Sequence, residues 1–261
     1  MTITIGIYSY RPDLEDVICS KLKHVGQFIV CQSRYYPNQV IIFVNTHLFF
    51  HPAAEFIRLL QVDVMVQLLS NLREVIRLQG IDFIFECDVE EDYQACENAR
   101  IPVSKNDIVV STMLIGDLNS RQKTSAIEYL LSGEISSSHE VWQTISSYKW
   151  GKRLEDQEED DNEMNRNESI SDTGSFKFEE VDMPTLNHDF KFTSAAGYPQ
   201  YTNYTRDFKD LLDWIFIDEN IDVARILPFP TEDQLSSEVA LPSSCHPSDH
   251  LSLVVDLKFK I

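Results

Sequence analysis

Four groups of polar side chains follow apolar runs of the sequence, and each combines residue types that can carry out acid–base or metal chemistry. They are Asn45 with His47, Asp117 with Asn119, Asp213, and Asp249 with His250. Carboxylate and amide oxygens are the ligands that Mg²⁺ prefers, and an imidazole can donate a hydrogen bond to a phosphate oxygen. Together the groups predict a metal-assisted phosphoryl-transfer site.

The second of these groups lies in the stretch around which the chain is organised. The apolar run Ile108–Ile115 predicts a buried strand, and Gly116 predicts a tight turn directly after it. Asp117 and Asn119 would then lie at the carboxyl end of that strand, where α/β proteins place their chemistry. The alternative is structural, because Asp and Asn side chains at this spacing also hydrogen-bond to the backbone of an ordinary turn.

The other groups have structural alternatives too. His47 at the end of an apolar strand is as consistent with a core histidine as with a phosphate contact. Asp213 lies in an apolar segment, and because a buried carboxylate is costly unless it is paired, it needs a partner such as His250. Asp249 and His250 are also consistent with a cap and a surface histidine. A zinc site is not predicted, since no His or Cys spacing typical of zinc ligands occurs.

Hydrophobic patterns predict the elements that must position these groups. Strands are expected over 27–32 and 40–44, which form a hairpin, and over 211–217, 221–227 and 251–260. Spacings of three and four predict a helix over 54–79 with one buried face, and a shorter helix is expected over 126–131. A loop is predicted over 86–106. Strands outnumber helices without strict βα alternation, which indicates an α+β fold.

Composition limits the classes of function. The chain has 261 residues and a formal charge of −20, which opposes nonspecific attraction to nucleic acid unless a metal ion or a local basic cluster inverts the field. Residues 151–182 hold twelve Asp plus Glu against four Lys plus Arg and are predicted to be a disordered insertion. The five cysteines show no paired spacing, which indicates reduced, intracellular thiols that are mostly in packing positions. No apolar run is long enough to span a bilayer, and the first residues do not resemble a signal peptide.

The order of these motifs resembles that of a known superfamily. Asn45-Thr46-His47-Leu48, Gly116-Asp117-Leu118-Asn119, Leu212-Asp213-Trp214 and Ser248-Asp249-His250 are similar to the motifs of the endonuclease/exonuclease/phosphatase superfamily, within its deadenylase branch and its 2′,5′-phosphodiesterases. The resemblance implies a four-layer α/β sandwich of two mostly antiparallel sheets with outer helices. It assigns residues 14–261 to a partial domain of this kind after an unassigned start at 1–13.

The resemblance also implies an activity and a setting. Members of this branch use Mg²⁺ to hydrolyse phosphodiester bonds, trimming 3′ poly(A) tails or 2′,5′-oligoadenylates. The implied partner is therefore an RNA 3′ end or an oligoadenylate, with neither DNA nor a membrane expected. The implied location is intracellular, in the mitochondrial matrix or the cytoplasm.

The roles implied for the site residues follow from the same resemblance. Asp117 is expected to act as general base and metal ligand, and Asn119 to orient the attacking water or contact the metal. His250 is expected to contact the scissile phosphate and Asp213 to hold His250. Further contacts are expected from His47 and Asn45 to phosphate and from Asp249 to the metal. Arg58 is left open as a helix-surface residue or a phosphate contact.

One departure from the family pattern opens an alternative. The family domain begins with an Asn at the end of its first strand and a magnesium-binding Glu in a Gln-Glu context, and neither context occurs upstream of Asn45. The N-terminal part of the domain is therefore expected to be missing, with apolar faces left exposed. The alternative functions are an inactive isoform or fragment that binds a nucleotide or a protein, and a phosphomonoesterase or lipid phosphatase.

Overall fold

The structure is a computed structural model that describes residues 2–4, 24–81, 103–146, 183, 185–235 and 240–260. Its strands are β1 (Thr2–Thr4), β2 (Val25–Gln32), β3 (Gln39–His47), β4 (Val109–Asp117), β5 (Glu134–Ile135), β6 (Leu186–Asn187), β7 (Thr193–Ser194), β8 (Asn203–Tyr204), β9 (Lys209–Asp210), β10 (Asp213–Ile217), β11 (Ile221–Ile226) and β12 (Val255–Phe259). Its helices are α1 (Glu55–Gln79), α2 (Ser125–Ser132) and α3 (Glu232–Leu235), with 3₁₀ segments at Lys105–Asp107 and Glu140–Ser146. Most of the predicted loop 86–106 and all of the predicted insertion 151–182 lie outside the described residues.

A six-stranded mixed sheet forms the centre of the described structure, in the order β1-β2-β3-β4-β10-β7. The predicted hairpin is confirmed, since β2 and β3 pair antiparallel from Gly26 opposite Thr46 to Gln32 opposite Val40. The strands β3 and β4 run parallel, whereas β4 and β10 run antiparallel. A parallel pair needs a long crossover, and α1 lies on the chain between β3 and β4.

The helix α1 has the predicted position, and Gly80 follows it with φ +87°. The predicted single buried face is too narrow for the first half of the helix, where every residue from Phe56 to Asp63 is buried. This half is enclosed because α1 contacts α2 and the Glu140–Ser146 segment as well as β3 and β4. An apolar pattern cannot show this enclosure, since it depends on which other elements pack there.

The two faces of the central sheet have different partners, as the alternation of strand side chains requires. In β3, Val40 and Ile42 join the core formed with the helices, whereas Ile41 and Phe43 face the second core. That second core includes Ile221 of β11 and residues of β12, which pair as a separate two-stranded sheet. Helices, a central sheet and a second sheet confirm the predicted α+β class.

The second sheet leaves part of the central sheet uncovered. Ile29 of β2 lies opposite Phe43, on the face of the second core, and is 42% exposed, while Val25 is 45% exposed. The expectation of exposed apolar faces is therefore met at β2. Cys31 on this strand and Cys245 are free and exposed, so the predicted packing role is wrong for these two cysteines.

Candidate active site

Three neighbouring strands bring predicted site residues to one edge of the central sheet. His47, the last residue of β3, is in register with Asp117, the last residue of β4, and Asp117 is in register with Asp213, the first residue of β10. Strand register alone therefore aligns one imidazole and two carboxylates across three neighbouring strands. Asn45 lies two residues before His47 and is exposed, so it is on the same face of β3.

Gly116 allows the close approach of these strands, but it does not form the predicted turn. The strand β4 continues through Asp117, and Gly116 has φ +136°. A Cβ atom at this position would lie 1.8 Å from the backbone oxygen of Thr46, so no other residue fits beside β3. The left-handed turn comes later, at Asn119 with φ +46°, whose side-chain amide donates to the backbone oxygen of Leu48 at 2.9 Å.

The two oxygens of the Asp117 carboxylate have different partners. Oδ1 accepts a hydrogen bond from the backbone N–H of Asn119 at 2.8 Å, which is the ordinary turn contact. Oδ2 faces Nε2 of His47 at 3.4 Å and Nε2 of His250 at 3.8 Å. Burial raises the pKa of the Asp117 carboxyl above its ordinary range, the Asn119 bond opposes this rise, and the nearby charge of Asp213 adds to it. The turn contact considered as the structural alternative is therefore present at Oδ1, whereas Oδ2 is left facing the two imidazoles.

Asp213 binds His250, the partner that the sequence predicted for it. Nδ1 of His250 and Oδ2 of Asp213 are 2.6 Å apart, a distance typical of a charge-assisted bond, and each side chain is 25% exposed. The bond makes Nδ1 the donor, so Nε2 is directed to the side of Asp117. This bond, opposed by burial and aided by the charges of Asp213 and Asp117, raises the pKa of the His250 imidazole.

His47 is not a core histidine, because its side chain is 69% exposed. The loop after it is held by a residue whose role the sequence did not reveal. Arg58 of α1 is 3% exposed, and its guanidinium donates to the backbone oxygens of Phe49, His51 and Pro52 at 3.2, 2.6 and 3.3 Å. Arg58 is therefore a buried support of this loop and neither a surface residue nor a phosphate contact.

The segment that carries His250 contacts β8, a strand for which the sequence predicted no functional role. Asn203 is 5% exposed and forms an isolated bridge with His250, and its Nδ2 donates to Oδ2 of Asp249 at 3.2 Å. The preceding residue, Thr202, is fully buried and also contacts the start of β10. The stretch Tyr201-Thr202-Asn203-Tyr204-Thr205 is similar to the family in sequence, but two polar residues beside a Gly-Tyr-Pro turn do not by themselves indicate a buried support.

The residues that can hold a metal ion form one compact group. Among the described residues, ligand atoms of Asp117, Asp213 and His250 lie within 4.8 Å of one another. Asn119, two residues after Asp117, uses its amide nitrogen to donate to the backbone oxygen of Leu48. Asp249, the other predicted metal ligand, is not part of this group, and the contact described for its carboxylate is with Asn203. The set is rich in oxygen donors, as a hard divalent cation requires.

Comparison with known proteins gives relatives in sequence, although no protein-family profile matches the chain. The chain is 33% identical over 239 residues to 2′,5′-phosphodiesterase 12 of Mus musculus and 32% identical over 237 residues to that of Homo sapiens, covering 90% of this chain and 29% of each relative. It is 25% identical over 266 residues to the CCR4-Not complex 3′-5′-exoribonuclease subunit Ccr4 of Neosartorya fischeri, covering 96% of this chain and 31% of the relative. The chain thus spans less than a third of the length of these curated relatives.

A solved structure shares the fold. ANGEL2, described as a 2′,3′-cyclic phosphatase in complex with adenosine-2′,3′-vanadate, superimposes with a TM-score of 0.60 at 18% identity, covering 100% of this chain and 66% of that chain. At this identity the likeness concerns the fold, and it agrees with the mixed sheets and few helices described above. Within the described residues, no helix has the length and apolar character needed to cross a membrane.

Proposed function

We propose that this chain, a member of the deadenylase branch of the endonuclease/exonuclease/phosphatase superfamily, carries the phosphodiesterase site of an enzyme that hydrolyses poly(A) tails or 2′,5′-oligoadenylates with Mg²⁺. One observation carries the proposal: Asp117 Oδ2 lies 3.8 Å from Nε2 of His250, whose Nδ1 is bound to Asp213 at 2.6 Å. Such a chain of groups can accept a proton and stabilise negative charge at adjacent points.

The proposed roles follow from which atoms remain available. Asp117 Oδ2, which the turn does not use, takes the proton of a water that attacks phosphorus. His250 donates through Nε2 to a phosphate oxygen, because Asp213 holds the proton on Nδ1 and favours the imidazolium. His47, largely exposed at the mouth of the site, is a second donor to phosphate, with Asn45 beside it on β3. The attacking oxygen forms its bond to phosphorus as the ester oxygen of the leaving nucleotide departs.

The donor set is compatible with Mg²⁺. Asp117 would be the principal protein ligand, supported by the amide oxygen of Asn119 and, by resemblance, by Asp249. When bound, Mg²⁺ supplies Lewis-acid stabilisation of the charge that develops on the phosphate. One or two carboxylates with water and substrate phosphate are the usual protein contribution to such a site. Asp213 contributes less, because its Oδ2 is engaged with His250.

A second candidate function is a noncatalytic module that binds a nucleotide or a protein. The observation in its favour is that Asp117, Asp213 and His250, which lie close together among the described residues, can bind a phosphate or a metal ion without cleaving a bond. The assignment of residues 14–261 to a domain of this family is part of the proposal. The mitochondrial matrix or the cytoplasm stays the predicted location, to be tested by fractionation of cells that express the full gene product.

The deciding experiment is a cleavage assay on the purified chain. The substrates are oligo(A) with 3′,5′ linkages and oligo(A) with 2′,5′ linkages, each with Mg²⁺ and with a chelator, and Asp117→Ala is run in parallel. Release of AMP that requires Mg²⁺ and disappears in Asp117→Ala supports the enzyme. A folded chain that binds AMP by calorimetry without cleaving either substrate refutes catalysis by this polypeptide and supports the binding module. Cleavage that persists in Asp117→Ala refutes the assigned site.

A further inference from the structure

Thr202 lies between the two segments that carry Asp213 and His250. It is 0% exposed, and its side-chain oxygen accepts hydrogen bonds from the backbone N–H groups of Leu212 and Asp213, both at 3.0 Å. Its backbone oxygen accepts from the N–H of Leu251 at 2.8 Å, one residue after His250. One buried residue therefore contacts both halves of the Asp213–His250 pair.

These contacts fix the backbone on both sides of the pair. Asp213 is the first residue of β10, where the ladder to β4 begins, and its N–H is directed to Thr202 Oγ1. On the other side, the N–H of Tyr204 donates to the backbone oxygen of Asp249 at 2.9 Å, and Asn203 forms a bridge with His250. The segment at Thr202, which leads into β8, thus lies between the start of β10 and the His250 segment, and the side chain of Thr202 takes the place of a backbone acceptor on the β10 side.

We propose that Thr202 is a positioning residue that sets the distance between the Asp213 carboxylate and the His250 imidazole. Its effect on turnover rests on the proposed function, but its effect on the geometry does not. The reason is that a bond of 2.6 Å tolerates little displacement of either backbone. Without the hydroxyl, two buried N–H groups lose their acceptor, and the start of β10 must move to find another.

The chemistry of the position predicts a graded response. Thr202→Val keeps the shape and removes the acceptor, whereas Thr202→Ser keeps the acceptor and removes only a methyl group. Outer groups that orient a catalytic imidazole typically affect activity by about 10- to 100-fold. Thr202→Val is therefore expected to lower kcat at least about 10-fold with KM changed less than about 2-fold, since His47 and Asp117 remain. Thr202→Ser is expected to restore most of kcat.

The matched control is Thr112→Val, at a buried threonine in β4. Thr112 is also 0% exposed, and its hydroxyl donates to Oδ2 of Asp218 at 2.7 Å. This variant also removes a buried hydroxyl and is expected to lower the melting temperature while leaving kcat within about 2-fold of the unsubstituted chain. A loss of kcat in both variants to the same degree would mean that any buried hydroxyl suffices, which would overturn the proposal.

A second measurement does not depend on activity. Side-chain ¹H–¹⁵N correlation spectra of the metal-free chain report the imidazole N–H that His250 donates to Asp213, and His250→Gln identifies this resonance. We expect the resonance to be retained in Thr202→Ser and Thr112→Val and lost through solvent exchange in Thr202→Val. If the unsubstituted chain cleaves no substrate, the proposed function fails, but these spectra still decide whether Thr202 positions the pair.

A variant that does not fold is also covered. If Thr202→Val is unfolded by circular dichroism, Thr202→Cys takes its place, because a thiol is a weaker acceptor of similar size. The expected result is a weakened His250 resonance with an intermediate kcat. A His250 resonance and a kcat equal to those of the unsubstituted chain, in either Thr202→Val or Thr202→Cys, would show that the position of the pair does not depend on this hydroxyl.

Discussion

Replacing Asp213 by Asn tests the arrangement at the centre of the proposed site. The substitution keeps the size of the side chain and removes the charge that faces Nδ1 of His250 at 2.6 Å. An Asn side chain can also donate its N–H to Nδ1, which would move the imidazole proton to Nε2 and reverse the role of each ring nitrogen. Both changes remove the reason for His250 to be an imidazolium with Nε2 directed at the phosphate.

The magnitude follows from the contact. A hydrogen bond to a charged group contributes about 1.5–3 kcal/mol, and with both side chains only 25% exposed the value is not strongly reduced by solvent. If about 2 kcal/mol of this is expressed in the transition state, kcat falls about 30-fold. KM should change little, because the proposed phosphate contacts of His47 and Asn45 are not altered.

The assay is steady-state cleavage of the oligo(A) substrate that the unsubstituted chain cleaves best, with Mg²⁺ in excess. Asp256→Asn is the matched control, because Asp256 also pairs with a basic side chain, Arg225, but at an exposed position in β12. This control should stay within about 2-fold of the unsubstituted kcat. A folded Asp213→Asn variant with the same kcat as the control would refute the role of the Asp213–His250 pair.

Three further predictions concern pH and stability. The pKa of His250 is raised in the fold, so its bond with Asp213 stabilises the protein fully below the unfolded imidazole pKa of 6.5 and less as pH rises through the raised value. The difference in urea unfolding free energy between the unsubstituted chain and Asp213→Asn should therefore shrink from about pH 5.5 to about pH 9. A constant difference over this range would contradict the prediction. Gly116→Ala should lower the urea unfolding free energy by about 3 kcal/mol or more, because the added Cβ would lie 1.8 Å from a backbone oxygen. The control Gly197→Ala, whose added Cβ would have nothing within 4 Å, should lower it by about 1 kcal/mol, and equal losses would refute the close-approach argument. Tyr129→Phe should lower the same unfolding free energy by about 1–3 kcal/mol, because the Tyr129 hydroxyl donates to the fully buried Asp63 carboxylate at 2.5 Å. An unchanged unfolding free energy would show that the Asp63 carboxyl does not depend on this hydrogen bond.

Local pattern was sufficient for most of the elements. The alternation and turn residues of the β2–β3 hairpin, the spacing of α1 and the apolar run of β4 each produce a preference that does not depend on distant residues. Their bounds were less accurate, and the error at Gly116 has a clear cause. A glycine after an apolar run indicates a turn if only the chain itself is considered, but here the neighbouring strand at Thr46 requires it.

The residue types of the site were also present in the sequence, and one of its pairs could be inferred from energetics. An Asp in an apolar segment needs a partner, because an unpaired buried carboxylate is costly, and this requirement predicted the pairing with His250. The supports of the site could not be found in this way. Arg58 and Thr202 have polar side chains that resemble surface residues in the sequence, and both are buried in the fold.

The sequence by itself determined the α+β class, the main elements and the inventory of carboxylates, amides and imidazoles, because these depend on periodicity and residue chemistry. Only the tertiary structure decided which atoms meet. Parallel pairing of β3 with β4 and antiparallel pairing of β4 with β10 bring His47, Asp117 and Asp213 into one register. The physical reason is that strand register is set by long-range packing of the sheet faces, which no local pattern encodes.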